Sequence, residues 1–199
     1  MPEEITPQEF IKRFRIHSLV CCMSGGKDSL VATHYVMTEL EDVDIEKQVV
    51  IIDAGVMIPT AIPFVEEVCD QFGWPLRVLR AEPGFWELAE RFGCPTMRRR
   101  WCCYHLKIKP IVEFLKTLRP QRGEVLGIRR EESKKRAELP QIMLKTKHGV
   151  VRWGYCPIID WSETQVLRYM RQHSLPIHLT IDGRSARPVS APPSCGDTR

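Results

Sequence analysis

Ser24-Gly25-Gly26-Lys27-Asp28-Ser29 puts two hydroxyls, two adjacent glycines, an ammonium and a carboxylate within six positions. The chemistry this suits is the holding of anionic oxygens. Glycines let the backbone turn sharply and let a ligand approach the peptide N–H groups with no Cβ in the way. The apolar run Leu19-Val20-Cys21-Cys22-Met23 leads in, and the helical pattern Leu30-Val31-Ala32-Thr33-His34-Tyr35-Val36 leads out. A helix starting there aims its unpaired N–H groups and positive dipole end at the same point. Two phosphate-loop patterns are excluded. The Walker pattern would need glycine at Cys21 and Ser or Thr at Asp28, and no G-x-G-x-x-G is present.

Further along, Arg129, Arg130 and Arg136 carry guanidinium groups that can grip phosphate oxygens in pairs, and Lys107 is a candidate for the same task. Asp53 and Gly55 follow one apolar run, and Gly127 lies in another. The histidines, His34, His105 and His148 among them, have no partner at catalytic spacing and are read as structural.

These residues need elements to position them. Thr6-Pro7-Gln8-Glu9 is a capping box that starts a helix running to about residue 15, with Ile5 and Phe10 as a staple. A strand near 19–23 and a helix over 29–40 bracket the glycine turn. Residues 48–52 form a continuous apolar run, as in a strand covered on both faces. A helix over 60–72 stops at Gly73, and 76–79 is a third strand. Residues 85–92 and 111–118 read as helices, and 124–128 as a fourth strand. Lys147-His148-Gly149 joins two short strands in a hairpin. Ser162-Glu163-Thr164-Gln165 caps a last helix, with Trp161 and Val166 as its staple. Strands alternating with helices predict a doubly wound α/β fold, a mostly parallel sheet with helices on both faces. The glycine turn, Asp53 with Gly55, and Gly127 with Arg129 and Arg130 then meet at the carboxyl ends of the strands. Residues 1–181 read as one domain and 182–199, rich in Gly, Ser, Arg and Pro, as an irregular tail.

The 199 residues, 43% hydrophobic and 27% charged, are ordinary for a globular chain. No apolar run reaches the ~18 residues of a membrane span, so no membrane is expected. The acidic start Met1-Pro2-Glu3-Glu4 lacks the order of a signal peptide, which predicts a cytoplasmic protein whose eight cysteines stay unpaired. Between residues 98 and 136 there are 13 Lys/Arg against 4 Asp/Glu, inside a chain of net charge +4. A basic middle in an otherwise acidic body points to a polyanionic partner: nucleotide phosphates, nucleic acid or both.

The stretch at 24–29, after its strand, resembles the PP-loop of ATP pyrophosphatases in the adenine nucleotide α-hydrolase superfamily. Ile52-Asp53-Ala54-Gly55, Cys102-Cys103-Tyr104-His105-Leu106-Lys107-Ile108-Lys109-Pro110-Ile111, Gly127-Ile128-Arg129-Arg130-Glu131-Glu132-Ser133 with Arg136-Ala137, and Pro157-Ile158-Ile159-Asp160-Trp161 follow in order. Over about residues 19–176 the chain is similar to the phosphoadenosine phosphosulfate (PAPS) reductase branch. The resemblance implies an adenine nucleotide, ATP or PAPS, with chemistry at or beyond its α-phosphate in sulfur metabolism. Ser24, Gly25, Gly26, Lys27, Asp28 and Ser29 would hold its phosphates or sulfate, and Asp53 and Gly55 would meet the adenosine. Lys27, Asp28 and Arg129 would act on the reacting phosphate, with magnesium accompanying ATP and Asp28 nearest to it.

The resemblance also implies roles for cysteine. In adenosine phosphosulfate reductases a pair like Cys102-Cys103 joins a later Cys-x-x-Cys to hold an iron–sulfur cluster. Here no Cys-x-x-Cys follows; only Cys156 and Cys195 lie downstream, with Cys94 the nearest upstream, and a cluster would take Cys102 and Cys103 with two of these. PAPS reductases carry their nucleophile in a Glu-Cys-Gly-Leu-His segment, of which Ser194-Cys195-Gly196-Asp197 keeps only Cys-Gly. Three readings stay open at this point. One is an enzyme that cleaves ATP between its α- and β-phosphates to activate a substrate, nucleic acid included, for sulfur incorporation from a sulfur donor protein. Another is a PAPS or adenosine phosphosulfate reductase with Cys195 as nucleophile and a thioredoxin-like reductant. The third is a nucleotide-binding subunit without chemistry of its own. The complete loop favours the first, because familiar sulfonucleotide reductases often lack the Lys-Asp pair. A homodimer is compatible with each.

Overall fold

A computed structural model of the chain describes residues 4–178. Six strands form one sheet in the order β3-β2-β1-β4-β6-β5: β1 (Ser18–Cys22), β2 (Glu46–Asp53), β3 (Leu76–Arg80), β4 (Arg122–Leu126), β5 (Ile142–Lys147) and β6 (Val150–Tyr155). All neighbours are parallel except β5 and β6. The doubly wound α/β expectation holds, with one antiparallel edge supplied by the hairpin. At its tip His148 and Gly149 both take positive φ, 48° and 76°, the conformation that suits a two-residue turn to the twist of its strands.

Alternation along the strands sorts the core. Leu19 and Cys21 face one side with Phe10, Leu30, Val65 and Val166. Val20 and Val50 face the other, with Ile111, Val112 and Leu115. The first face is covered by α1 (Pro7–Phe14), α2 (Lys27–Glu39), α3 (Ala61–Phe72) and α8 (Glu163–Gln172). Both capping boxes are present, Thr6 with Glu9 and Ser162 with Gln165, and Gly73 ends α3 in the left-handed region.

Two elements differ from expectation. Helix α2 begins at Lys27 rather than near Ser29, because Gly26 itself takes the extended cap conformation. The basic stretch 94–109, to which the sequence assigns no element, is helical from Trp101 on: α5 (Trp101–Cys103) runs through a π turn (Tyr104–Ile108) into α6 (Lys109–Thr117). The wider turn precedes Pro110, which has no N–H to give to a regular helix. Helix α4 (Phe85–Phe92) and this π segment form a third cluster around Ala54, Leu88 and Leu106 at the carboxyl end of β2. Among the described residues no helix is long and apolar enough to cross a membrane.

Candidate active site

The connection after β1 leads to one side of the sheet and β4 joins on the other, so the crevice of this topology opens between the carboxyl ends of β1 and β4. The glycine turn occupies it. Gly25 has φ +80°, a conformation that side chains rarely adopt. Gly26 caps α2 without any side-chain bond to the helix amides, which therefore face the crevice. Ser29 knits the turn, donating from Oγ to the Gly26 carbonyl at 2.8 Å and accepting from the Ser24 N–H at 3.1 Å. The two serine hydroxyls lie 3.2 Å apart.

Gly127 explains why β4 reaches this place. A Cβ there would sit 2.5 Å from the backbone N and Cα of Ser29, so only glycine lets the two backbones meet. Two residues on, Arg129 is 4% exposed and donates from Nε to Asp28 Oδ1 at 2.8 Å. Its Nη1 donates to Glu131 Oε2 at 2.6 Å. Burial opposes the guanidinium charge, but Asp28, Glu131 and Glu132 more than offset it and hold the group above its ordinary value. Lys27 Nζ lies 3.4 Å from Asp28 Oδ2 and 3.3 Å from Glu163 Oε1. Glu131 accepts the Glu163 backbone N–H at 2.8 Å; that bond first, and Arg129 second, keep its carboxyl below the usual range.

The structure thus gathers Ser24, Gly25, Gly26, Lys27, Asp28, Ser29, Gly127 and Arg129 in one crevice. Glu131 and Glu163 join them, and sequence reasoning assigned these two only to a motif and a helix cap. Position 163, in the first turn of a helix beginning at the same sheet edge, was the available signal. A second unanticipated feature is the chain after α8. His178 accepts or donates at 2.8 Å with Thr60 Oγ1. With Pro176 and Ile177 it closes a cavity of about 10 Å³ against Gly25 and Lys27.

Other candidate residues are occupied elsewhere. Asp53 accepts the Gly55 N–H at 2.9 Å and pairs with Arg80 at 3.3 Å, a turn-stabilising arrangement at the end of β2. Arg130 pairs with Asp160 and donates to the Leu139 carbonyl, and Arg136 pairs with Glu132 one turn away. Lys107 is exposed in the π turn. Cys102 is half-buried, Cys103 and Cys156 are buried, and Cys94 is exposed. Among the described residues no three His, Cys, Asp or Glu side chains are grouped to hold a metal ion. The described cysteines therefore do not fit an iron–sulfur cluster, and Asp28, with both oxygens engaged, does not fit a protein-built magnesium centre. Cys195 lies outside the described residues.

Residues 18–182 match the model of the phosphoadenosine phosphosulfate reductase domain, and the chain belongs to that family. An uncharacterised protein of Methanocaldococcus jannaschii is 34% identical over 72% of this chain and 33% of its own length. A phosphoadenosine 5'-phosphosulfate reductase of Erwinia tasmaniensis is 30% identical over 80% of this chain and 63% of its own. The chain thus spans between one third and just under two thirds of these relatives. Among solved structures, the Candida auris PAPS reductase in a phosphate complex superposes with a TM-score of 0.62 at 19% identity, covering 87% of this chain and 82% of that one. The U34-tRNA thiolase NcsA of Methanococcus maripaludis, with its [4Fe-4S] cluster, gives 0.57 at 16% identity over 86% and 66%. These likenesses carry the same fold.

Proposed function

We propose that this chain binds ATP in the β1–β4 crevice and cleaves it between the α- and β-phosphates, activating an acceptor for sulfur incorporation. An acceptor oxygen would attack the α-phosphorus, the bond to the bridging oxygen would break, and pyrophosphate would leave, with AMP carried on the acceptor. A sulfur donor protein would then displace AMP.

The observation that carries this reading is the state of Lys27. It stands at the first position of α2, beside uncapped helix amides, and among the described residues it pairs with its neighbour and with Glu163, whose side chain is 60% exposed. An arriving phosphate can take the ammonium from Glu163 while Arg129 keeps Asp28 and the loop in place. Positioning and charge neutralisation supply most of the rate in such transfers. Magnesium, when bound to ATP, would supply further neutralisation; Lys27 and the loop amides would hold the phosphates. The Methanococcus maripaludis neighbour is a U34-tRNA thiolase, which agrees with sulfur incorporation. The test is pyrophosphate release from ATP, alone and with candidate acceptors. Release that Lys27→Ala abolishes supports the reading.

The family's own description favours a second reading, reduction of PAPS to sulfite with Cys195 as nucleophile and a thioredoxin-like reductant. Offering PAPS with a thiol decides it: sulfite that Cys195→Ser abolishes, with no pyrophosphate from ATP, would replace the first reading.

A further inference from the structure

Four of the seven exposed large hydrophobic residues among those described, Val56, Trp86, Phe92 and Met97, lie on or beside the third cluster at the carboxyl end of β2. Trp86 is 71% exposed and Met97 80%. Their surroundings are aromatic. Phe85, whose Cβ lies 3.8 Å from where a Gly55 side chain would start, begins a run of neighbouring rings. Phe85 to Trp101 is 5.6 Å between centroids, Trp101 to Phe92 6.1 Å, and Phe92 to His105 5.6 Å. The run continues from His105 to Tyr104 at 4.9 Å and to His148, at the hairpin tip, at 5.2 Å. Every ring in it is partly or fully exposed. A contiguous row of half-open rings thus leads from the carboxyl end of β2 to the tip of the β5–β6 hairpin.

The row is also cationic. Residues 85–109 hold six Lys/Arg against Glu87 and Glu90. The Arg91 guanidinium lies over the Phe92 ring at 5.2 Å. Arg98 and Arg99 are exposed, and Arg100 has an enclosed nitrogen, Nη2, with no hydrogen-bond partner among the described residues. A protein-docking face depletes charge at its centre. Rings interleaved with guanidinium groups that pair with no carboxylate among the described residues instead suit a ligand that offers flat π faces and phosphates in alternation.

We infer that this row seats a single-stranded polynucleotide, its bases against the rings and its phosphates against Arg91, Arg98 and Arg99. That the strand is also the acceptor of the activated chemistry rests on the proposed function; its binding does not.

The test is fluorescence anisotropy of the full chain with labelled oligodeoxythymidylate, oligouridylate and a duplex, each of about 12 nucleotides. The single strands should bind and the duplex should bind at least about tenfold more weakly, because its bases are already stacked. Trp86→Ala should weaken single-strand binding about tenfold. Arg98→Ala with Arg99→Ala should flatten the slope of log affinity against log salt by about 1.4. Both variants should keep the wild-type affinity for ATP. The two single strands differ only in sugar and methyl group, so their ratio shows whether RNA or DNA is preferred. Equal affinity for the duplex would overturn the inference, as would single-strand binding that the variants leave within about twofold. So would a concentration-dependent dimer, dispersed by Trp86→Ala, in a chain that binds no oligonucleotide. Oligonucleotide binding without pyrophosphate release would leave the inference standing and remove the proposed activity.

Discussion

The β1–β4 crevice and the surface at the carboxyl end of β2, here the β2 edge, lie on one sheet, and they are built oppositely. At the crevice the central charge pair is buried and matched: Arg129 is 4% exposed and Asp28 7%, and they bond at 2.8 Å. At the β2 edge the charges are exposed, and the large apolar side chains with them. The first arrangement costs desolvation and gains fixed geometry, as a site needs when it must place a phosphorus atom. The second costs little stability and leaves surface free for something large and variable. On the proposed reading, the contrast separates the part that would perform chemistry from the part that would meet a polymer.

The contrast breaks most visibly at Arg129. Arg129→Ala leaves Asp28 buried without its partner, and urea unfolding should show a loss of about 3–5 kcal/mol. A loss below about 1 kcal/mol would mean the pair is not holding the crevice. Gly127→Ala comes next. Its methyl group would meet Ser29 backbone, which cannot swing aside, so a loss near the upper end of about 1–3 kcal/mol is expected, with weakened ATP binding.

Acid should loosen the crevice side before the β2 edge. His34, on α2, is pushed down to about 4 by burial and by His173, and its Nδ1 lies 3.0 Å from the Tyr169 hydroxyl. The unfolded imidazole takes its proton near 6.5, the folded one only near 4. Between these values the unfolded chain binds more protons, so stability falls as pH drops through that window, by about 2–3 kcal/mol. Urea titrations at steps across it should show the slope, and His34→Gln should flatten it. The smallest effect belongs to Trp86→Ala, which should change stability by less than about 0.5 kcal/mol and leave the melting curve in place.

Much of this contrast was written in local sequence. The glycine turn, both capping boxes, Gly73 and the hairpin tip each declare themselves within a few residues, because their physics is local. The crevice was legible as a meeting of strand ends, since the alternation of elements dictates a parallel sheet. The partner of each charge was not. Arg129 with Asp28 and Lys27 with Glu163 join residues far apart in the chain, and a cation bound for a carboxylate looks like one bound for phosphate. Arg130 and Arg136 show the ambiguity, each paired with a carboxylate close at hand. The aromatic row was hidden because the sequence marks no element over 94–109, whereas a short helix and a π turn before Pro110 bring Phe92, Trp101 and His105 together.

The central claim is that the glycine turn with Lys27 is the phosphate end of an ATP site, and calorimetric titration of ATP into the wild type and Lys27→Ala tests it most directly. Loss of one charge-assisted contact should weaken binding at least about tenfold, with the unfolding midpoint of the protein alone unchanged. Equal ATP affinity in the two proteins would contradict it.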